Sequence, residues 1–231
     1  GWELVLNTSI TNMSSSFAPG ASAIGNLTDG PIIFRSGTPG TQVTLAASSG
    51  TTTFSGTATV GVLLGILFNN PVFSQTTVNY NANTSTFVNC KFTKSSGTGN
   101  AAFSMLANNS AYFVGCEFGG GTTTDGYSGT GGGTWIDCYF HDLSGNGLTL
   151  TSTSFTANLI NCVFDTCAGR GVYSSGALAA VASNLTLVNC TIYGCGNSGL
   201  EVADADIRPT IVNCLFLNNG DAAGEYNIEM V

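Results

Sequence analysis

Short stretches in which apolar and polar residues alternate recur along the chain at nearly constant intervals. Each reads apolar–apolar, then Asn, Asp or Gly, then Cys, any residue, and a large apolar residue. The stretches are 87–92, 113–118, 135–140, 159–164, 187–192 and 211–216, and their cysteines are 26, 22, 24, 28 and 24 residues apart. One short strand per 22–28 residues is typical of a solenoid, in which successive turns of chain stack on each other. The variable spacing places insertions in loops.

Alternation within a stretch predicts which side chains face the interior. In the first copy, Val88, Cys90 and Phe92 share one face, and Phe87 shares the opposite face with Asn89. Stacked strands lie about 4.8 Å apart, so equivalent residues should form ladders along the solenoid. The predicted buried ladders are Cys90, Cys116, Cys138, Cys162, Cys190 and Cys214, and Phe92, Phe118, Phe140, Phe164, Ile192 and Phe216.

A second repeated element follows each strand. Gly147, Gly171 and Gly199 each lie seven residues past the ladder aromatic or isoleucine and precede another short apolar stretch. We expect these glycines to turn the chain with positive φ. The predicted fold is therefore an all-β parallel solenoid of about 8–9 coils, with two or three strands per coil.

The pattern weakens towards the N-terminus. Phe34, Phe54 and Phe73 continue an aromatic series at similar spacing, with Pro71 in the cysteine position of a degenerate copy. The predicted organisation is an N-terminal cap over 1–30 and a β-helix over 31–231. Within that β-helix, residues 31–83 form irregular coils and residues 84–231 regular ones.

The segment Asn189–Val202, with sequence NCTIYGCGNSGLEV, resembles a repeat of the right-handed parallel β-helix (pectin-lyase-like) superfamily. This resemblance implies a right-handed coil. Members that act on polysaccharides use the outer face of one sheet. Lyases there hold calcium with acidic residues and use an arginine as base, whereas hydrolases use two or three aspartates on adjacent coils.

The composition of the chain argues against two classes of function, nucleic acid binding and membrane insertion. Only 8% of residues are charged and the net charge is −8 with five basic residues, which argues against nucleic acid binding because that requires a basic face. No apolar run reaches the roughly 20 residues of a membrane helix, so we expect no membrane insertion. The periodic cysteines favour reduced thiols over disulfides, and therefore folding in a reducing compartment such as the cytoplasm.

Candidate chemistry is sparse. One acid–base constellation is predicted from His141, Asp142, Asp165 and Arg170, with a solvated His–Asp pair as the alternative. A hard cation could bind the acidic group Glu201, Asp204 and Asp206, with an internal ion pair to Arg208 as the alternative. We expect no cofactor.

A further file of large apolar residues alternates out of phase with the ladders. It consists of Phe87, Phe113, Trp135, Leu159, Leu187 and Ile211, with Tyr139 beside it. An exposed stripe of this kind indicates a partner surface; the alternative is that these side chains round a corner and are covered.

These features favour a non-enzymatic structural or binding β-helix at a virion surface, such as a phage head-decoration, fibre or tailspike-like protein assembled in the host cytoplasm. Expected partners are further copies of the chain, with a trimer favoured, or capsid and tail proteins, and a cell-surface glycan is a further possibility. The alternatives are a polysaccharide lyase or glycoside hydrolase of the same fold, and a secreted or cell-surface bacterial adhesin. Fold alone does not choose among them.

Overall fold

In the computed structural model, the described residues form three parallel sheets of nine strands each. It describes residues 2–7, 10–13, 16–17, 32–38, 42–47, 52–55, 60–64, 66–69, 71–74, 85–93, 101–105, 110–120, 125–151, 155–175, 184–203 and 207–230. Among these residues, no helix is long and apolar enough to span a membrane.

Every turn of chain contributes one strand to each sheet, in the order sheet A, sheet B, sheet C. Sheet A contains β1 (Trp2–Leu6), β4 (Ile32–Ser36), β7 (Val60–Leu64), β10 (Ser85–Val88), β13 (Ala111–Val114), β16 (Gly133–Ile136), β19 (Thr156–Ile160), β22 (Asn184–Val188) and β25 (Thr210–Val212). Sheet B contains β2 (Ile10–Met13), β5 (Val43–Ala47), β8 (Ile66–Asn69), β11 (Lys91–Thr93), β14 (Glu117–Gly119), β17 (Tyr139–His141), β20 (Val163–Asp165), β23 (Thr191–Tyr193) and β26 (Leu215–Leu217). Sheet C contains β3 (Ser16–Phe17), β6 (Thr52–Ser55), β9 (Pro71–Ser74), β12 (Ala101–Met105), β15 (Asp125–Gly129), β18 (Leu148–Leu150), β21 (Val172–Ser174), β24 (Leu200–Val202) and β27 (Ile228–Met230).

Each strand pairs with the equivalent strand of the next turn, three strands later in the chain. The predicted all-β parallel solenoid is thereby confirmed. Its regular part makes five complete turns from β10 to β25. Because pairing is in register there, equivalent residues of successive repeats lie side by side.

The upstream register differs from the expected one. Phe92 pairs with Phe68, so the sheet B position continues through Phe68. Phe54 and Phe73 pair with each other in sheet C, and Phe34 lies in sheet A. Pro71 begins the sheet C strand β9 and holds no cysteine-equivalent position. The prediction was wrong here because it assumed that phenylalanines about 20 residues apart occupy equivalent positions. When the turns differ in length, residues at that constant spacing fall in different sheets.

The segment expected to form a cap contributes strands. Over the described part of residues 1–30, β1, β2 and β3 form the terminal strand of each sheet and pair with β4, β5 and β6. Residues 18–31 lie outside the described part of the chain.

A left-handed residue marks the corner between sheets A and B in every regular turn. These residues are Asn89, Gly115, Asp137, Asn161, Asn189 and Asn213, with φ between 51° and 61°. Asparagine, aspartate and glycine tolerate this conformation better than other residues. Side-chain hydrogen bonds join neighbouring corners, from Asn161 to Asp137 at 3.1 Å and from Asn213 to Asn189 at 2.7 Å.

Because of this corner, the apolar stripe that was predicted to lie on the surface is buried. The corner residue interrupts the alternation, so inward positions fall at Phe87, Cys90 and Phe92 in the first copy, while Val88 lies half-exposed outside. Five stripe members are fully buried, namely Phe87, Phe113, Trp135, Leu159 and Leu187, and Ile211 is partly buried against the core. Only Tyr139 remains outside, with 39% of its surface exposed. The six-residue file therefore lies in the interior. This is the alternative in which these side chains round a corner and are covered.

Aromatic rings stack in two adjoining columns inside the regular turns. In one column the ring centroids of Phe118 and Phe140 are 4.5 Å apart, and those of Phe140 and Phe164 are 4.4 Å apart. In the other, Phe113 stacks on Trp135 at 5.5 Å. Each such pair contributes about 0.5–1.5 kcal/mol beyond the burial of apolar area.

The cysteines form a ladder of thiols beside these columns. None of the eight cysteines forms a disulfide, and seven are buried while Cys214 is half-buried. Thiols donate to backbone carbonyl oxygens of the preceding turn, from Cys116, Cys138, Cys162 and Cys190 to Phe87, Phe113, Trp135 and Leu159 at 3.3–3.4 Å. The hydrogen bond with Cys138, together with burial, raises the pKa of Cys162 to about 12. The Cys162 thiol therefore stays protonated at neutral pH.

The repeated glycines between sheets B and C have a different role from the expected one. No positive φ occurs at Gly147, Gly171 or Gly199. A Cβ atom on Gly171 would lie 2.6 Å from the carbonyl oxygen of Gly199 and 2.5 Å from Cγ2 of Ile192. Glycine is needed here because successive turns approach too closely for a side chain. The left-handed turn instead falls two residues past the ladder residue, for example at Asp142.

Candidate functional site

Polar and charged side chains gather in two clusters on the outside of the regular turns. The sheet B cluster consists of Lys91, Glu117, Tyr139, His141, Asp142 and Asp165. The sheet C cluster consists of Asp125, Asn146, Thr149, Arg170, Tyr173 and Glu201. Both occupy outward positions because the apolar alternate residues fill the interior.

His141 is held between two carboxylates in the sheet B cluster. Its Nε2 lies 2.8 Å from Oε1 of Glu117, and its Nδ1 lies 2.9 Å from Oδ2 of Asp142. Lys91 Nζ approaches the same Glu117 oxygen to 2.6 Å. Burial alone would raise the pKa of Glu117, but hydrogen bonds and charge from Lys91 and His141 lower it below its ordinary value. The hydrogen bond from His141 likewise lowers the pKa of Asp142.

Tyr139 connects His141 to Asp165. The Tyr139 ring stacks on the imidazole with centroids 4.3 Å apart, and its hydroxyl donates to Oδ2 of Asp165 at 3.1 Å. Partial burial and the Asp165 carboxylate raise the pKa of Tyr139. Asp165 pairs in register with His141, yet both imidazole nitrogens already contact other carboxylates.

A network around Asp125 forms one end of the sheet C cluster. Asp125 accepts hydrogen bonds from the backbone NH of Asn146 at 2.7 Å and the hydroxyl of Thr149 at 2.6 Å. The side-chain oxygen of Asn146 in turn accepts from the backbone NH of Arg170 at 2.8 Å. Burial raises the pKa of Asp125, an effect partly offset by these donors.

Arg170 and Glu201 form the other end. Arg170 Nε donates to Oε2 of Glu201, and its guanidinium carbon lies 4.4 Å from the Tyr173 ring centroid. Glu201 is only 8% exposed. On the next strand, Glu229 pairs in register with Glu201 and accepts a hydrogen bond from Ser198 at 2.7 Å.

The predicted catalytic constellation is divided between the clusters. His141, Asp142 and Asp165 belong to sheet B, whereas Arg170 lies past the following bend and contacts sheet C residues. Sequence spacing did not reveal this because a few residues in a solenoid suffice to turn from one face to the next. Glu117 was also missed, although its pairing with Lys91 follows from opposite charges in equivalent positions one turn apart.

The predicted cation site is replaced, over its described part, by an ion pair. Glu201 is bound to Arg170, while Asp204 and Asp206 lie outside the described residues. Within the described part of the chain, no three His, Cys, Asp or Glu side chains are grouped so as to hold a metal ion.

Both clusters link one turn of the solenoid to the next. Lys91, Glu117 and His141 join three successive turns, and Asp125 with Thr149 and Arg170 with Glu201 each join two. Single exposed ion pairs contribute about 0–1 kcal/mol, so these contacts matter mainly as a connected series that holds register.

Comparison with known proteins agrees with this geometry. No curated protein and no solved structure gives a significant match to the chain. The protein-family model described as the right-handed beta helix region matches residues 76–227, which include the five regular turns from β10 to β25 and both clusters. The chain therefore belongs to the right-handed β-helix family.

Proposed function

We propose that this chain is a non-enzymatic structural and binding β-helix of a virion surface, such as a head-decoration, fibre or tailspike-like component. It would assemble in the host cytoplasm as a homo-oligomer or with capsid or tail proteins. One observation carries the non-enzymatic part: the charged side chains of both clusters bind each other across turns. The free-thiol ladder supports assembly in a reducing compartment.

General acid–base chemistry on a glycan needs two carboxylic groups that reach the substrate, one of them protonated near neutral pH. Glu117 and Asp142 have lowered pKa values and both contact His141. Asp125, whose pKa is raised, is directed at Asn146 and Thr149. Glu117 and Asp125 thus bind side chains of neighbouring turns, and Asp142 binds His141 of its own turn. These contacts support a structural role.

The non-enzymatic part is tested by incubating the purified protein with anionic and neutral polysaccharides and measuring new reducing ends and unsaturated products. We expect none above a heat-denatured control. Depolymerisation that Asp165→Ala or His141→Ala abolishes without loss of the circular dichroism spectrum would overturn this part of the proposal.

The location is tested with antibodies raised against the purified chain. Lysates of the source material would be separated by density gradient, and particle fractions examined by immunogold electron microscopy. We expect the antigen to sediment with virus particles and to label their surface. Antigen found instead on bacterial envelopes would support the adhesin alternative and contradict the virion location.

A polysaccharide-cleaving enzyme is a second candidate, favoured by one observation in sheet C. Glu201 and Glu229 pair in register on adjacent strands, beside Arg170 and the half-buried Tyr173. Adjacent carboxylates are the arrangement that glycoside hydrolysis uses. If the polysaccharide assay detects cleavage, Glu229→Gln should abolish it, whereas an unchanged rate would exclude this pair.

A further inference from the structure

We propose that the outer face of sheet A is the surface on which a second copy of this chain docks, forming a two-fold dimer. The proposal rests on the structural function proposed above. The predicted partner surface was the stripe that is now buried, and the outer face of sheet A takes its place. It follows from which side chains the left-handed corner directs outward.

The corner directs a continuous file of branched aliphatic residues to the outside of sheet A. These residues, called here the aliphatic file, are Val88, Val114, Ile136, Ile160, Val188 and Val212, and they are paired in register from turn to turn. Five are half-exposed and Val212 is 49% exposed. A parallel file of Thr86, Tyr112, Thr134, Asn158, Thr186 and Thr210 lies two residues upstream.

Over the six strands of the aliphatic file, this face differs from the other two in its charge. The strands β10, β13, β16, β19, β22 and β25 contain no charged residue, whereas sheets B and C present Glu117, Asp165, Asp125 and Glu201. Asp137, the corner residue next to Ile136, is exposed and accepts a hydrogen bond from Asn161.

A second copy fits this surface better than an unrelated partner of opposite charge. Two chains of net charge −8 repel each other, so they approach most favourably through the six strands of sheet A that bear no charge; Glu3 and Arg35 lie further upstream, in β1 and β4. Both copies present the same repeat of about 4.8 Å, and two sheets pack face to face at about 10 Å with their side chains interdigitated. The same patch on both copies makes the contact isologous, which gives a closed dimer in place of the expected trimer.

The size of the face indicates a reversible contact. Six strands about 4.8 Å apart and about 15 Å long present about 400 Å² per copy, below the roughly 800 Å² of a standard stable interface. The dimer should therefore dissociate on dilution. Where several copies are held on one assembly, their high local concentration would favour the dimer.

Light scattering coupled to size exclusion, over a dilution series, tests the proposal. We expect the wild type to shift from twice the monomer mass to the monomer mass on dilution. The double variant Ile136→Lys/Ile160→Lys should be monomeric throughout, with self-association weakened at least about tenfold. Val163→Lys/Leu215→Lys provides the matched control, because it places the same two charges at exposed positions on the outer face of sheet B and should leave the dimer intact.

Circular dichroism and thermal unfolding show whether each variant is folded. Should the lysine variant unfold, Thr134→Glu/Thr186→Glu places charge beside the aliphatic file without removing an aliphatic side chain, and should give the same monomer. A wild type that is monomeric at every concentration, or a folded variant that still dimerises, would overturn the proposal. A monomer that sediments with virus particles would refute only the docking surface, whereas a dimer absent from particles would refute only the virion function.

Discussion

The corner residue between sheets A and B determines the faces of a whole repeat. Asn161, with φ of 54°, turns the chain and uses its side chain to bind Asp137 of the preceding turn. Gly115 occupies the same position without a side chain, and a Cβ atom there would lie 2.5 Å from Oδ1 of Asn89. Backbone conformation, and not side-chain chemistry alone, therefore selects these residues.

Asn161→Ala should lower the free energy of unfolding by about 1–2 kcal/mol, because alanine is strained in the left-handed region. Asn161→Gly is the matched variant, since it also loses the hydrogen bond but relieves the strain, and should cost less. Urea denaturation followed by circular dichroism measures both. Equal losses would show that the side-chain ladder, and not the corner conformation, is the important feature.

Glu117 should make stability sensitive to acid. Its folded pKa lies below its ordinary value of 4.5, so it releases its proton more readily folded than unfolded. Its stabilisation is present above pH 4.5 and is lost as pH falls through the folded pKa. Glu117→Gln should be less stable at neutral pH and lose less stability below pH 4.5, as measured by urea unfolding across pH.

The exposed Asp221 lies outside both clusters, so Asp221→Asn is the control and should follow the wild-type curve. If Glu117→Gln and wild type decline in parallel as the pH is lowered, Glu117 does not stabilise the fold through its charge.

At the scale of the element, each six-residue stretch spans two short strands, one in sheet A and one in sheet B, with one left-handed residue at the corner between them. Residues on opposite sides of that corner, such as Trp135 and Phe140, both reach the core even though simple alternation assigns them opposite faces. Ile136, next to Trp135, is half-exposed. The corner thus converts a six-residue alternation into two short segments with separate phases.

Trp135→Ala should destabilise the protein by about 3–5 kcal/mol, as Phe140→Ala should, because each leaves a large cavity in the aromatic columns. Ile136→Ala, one residue away on the outer face, should cost much less. Chemical denaturation measures the free energy of unfolding of the three variants. A loss for Trp135→Ala no larger than that for Ile136→Ala would contradict the assignment of Trp135 to the core.

At the scale of the whole molecule, stability is distributed along one axis. Each turn of a solenoid contacts only its neighbours, so opening can begin at an end and progress inward. Cys214 lies on the last described turn and is half-buried, while the seven other thiols are buried. The thiol ladder can therefore report the opening of individual turns.

Native protein treated with iodoacetamide should be labelled first at Cys214, with Cys190 slower and the inner thiols protected, because the thiol must be exposed and ionised to react. Peptide mass spectrometry over time measures the order. After denaturation without reductant, all eight cysteines should be labelled. Disulfide-linked peptides at Cys90–Cys116 or Cys190–Cys214 would refute the free-thiol ladder.

The sequence by itself determined the parallel solenoid, because a strand repeated every 22–28 residues must stack on its copies to bury its apolar face. It also identified equivalent residues from Cys90 to Cys214, since in-register pairing follows from the repeat. Only the tertiary structure decided the face of Phe87 and Trp135, because one left-handed residue shifts the phase of alternation. It likewise separated Arg170 from His141, since side chains close in sequence face different sheets once the chain has turned.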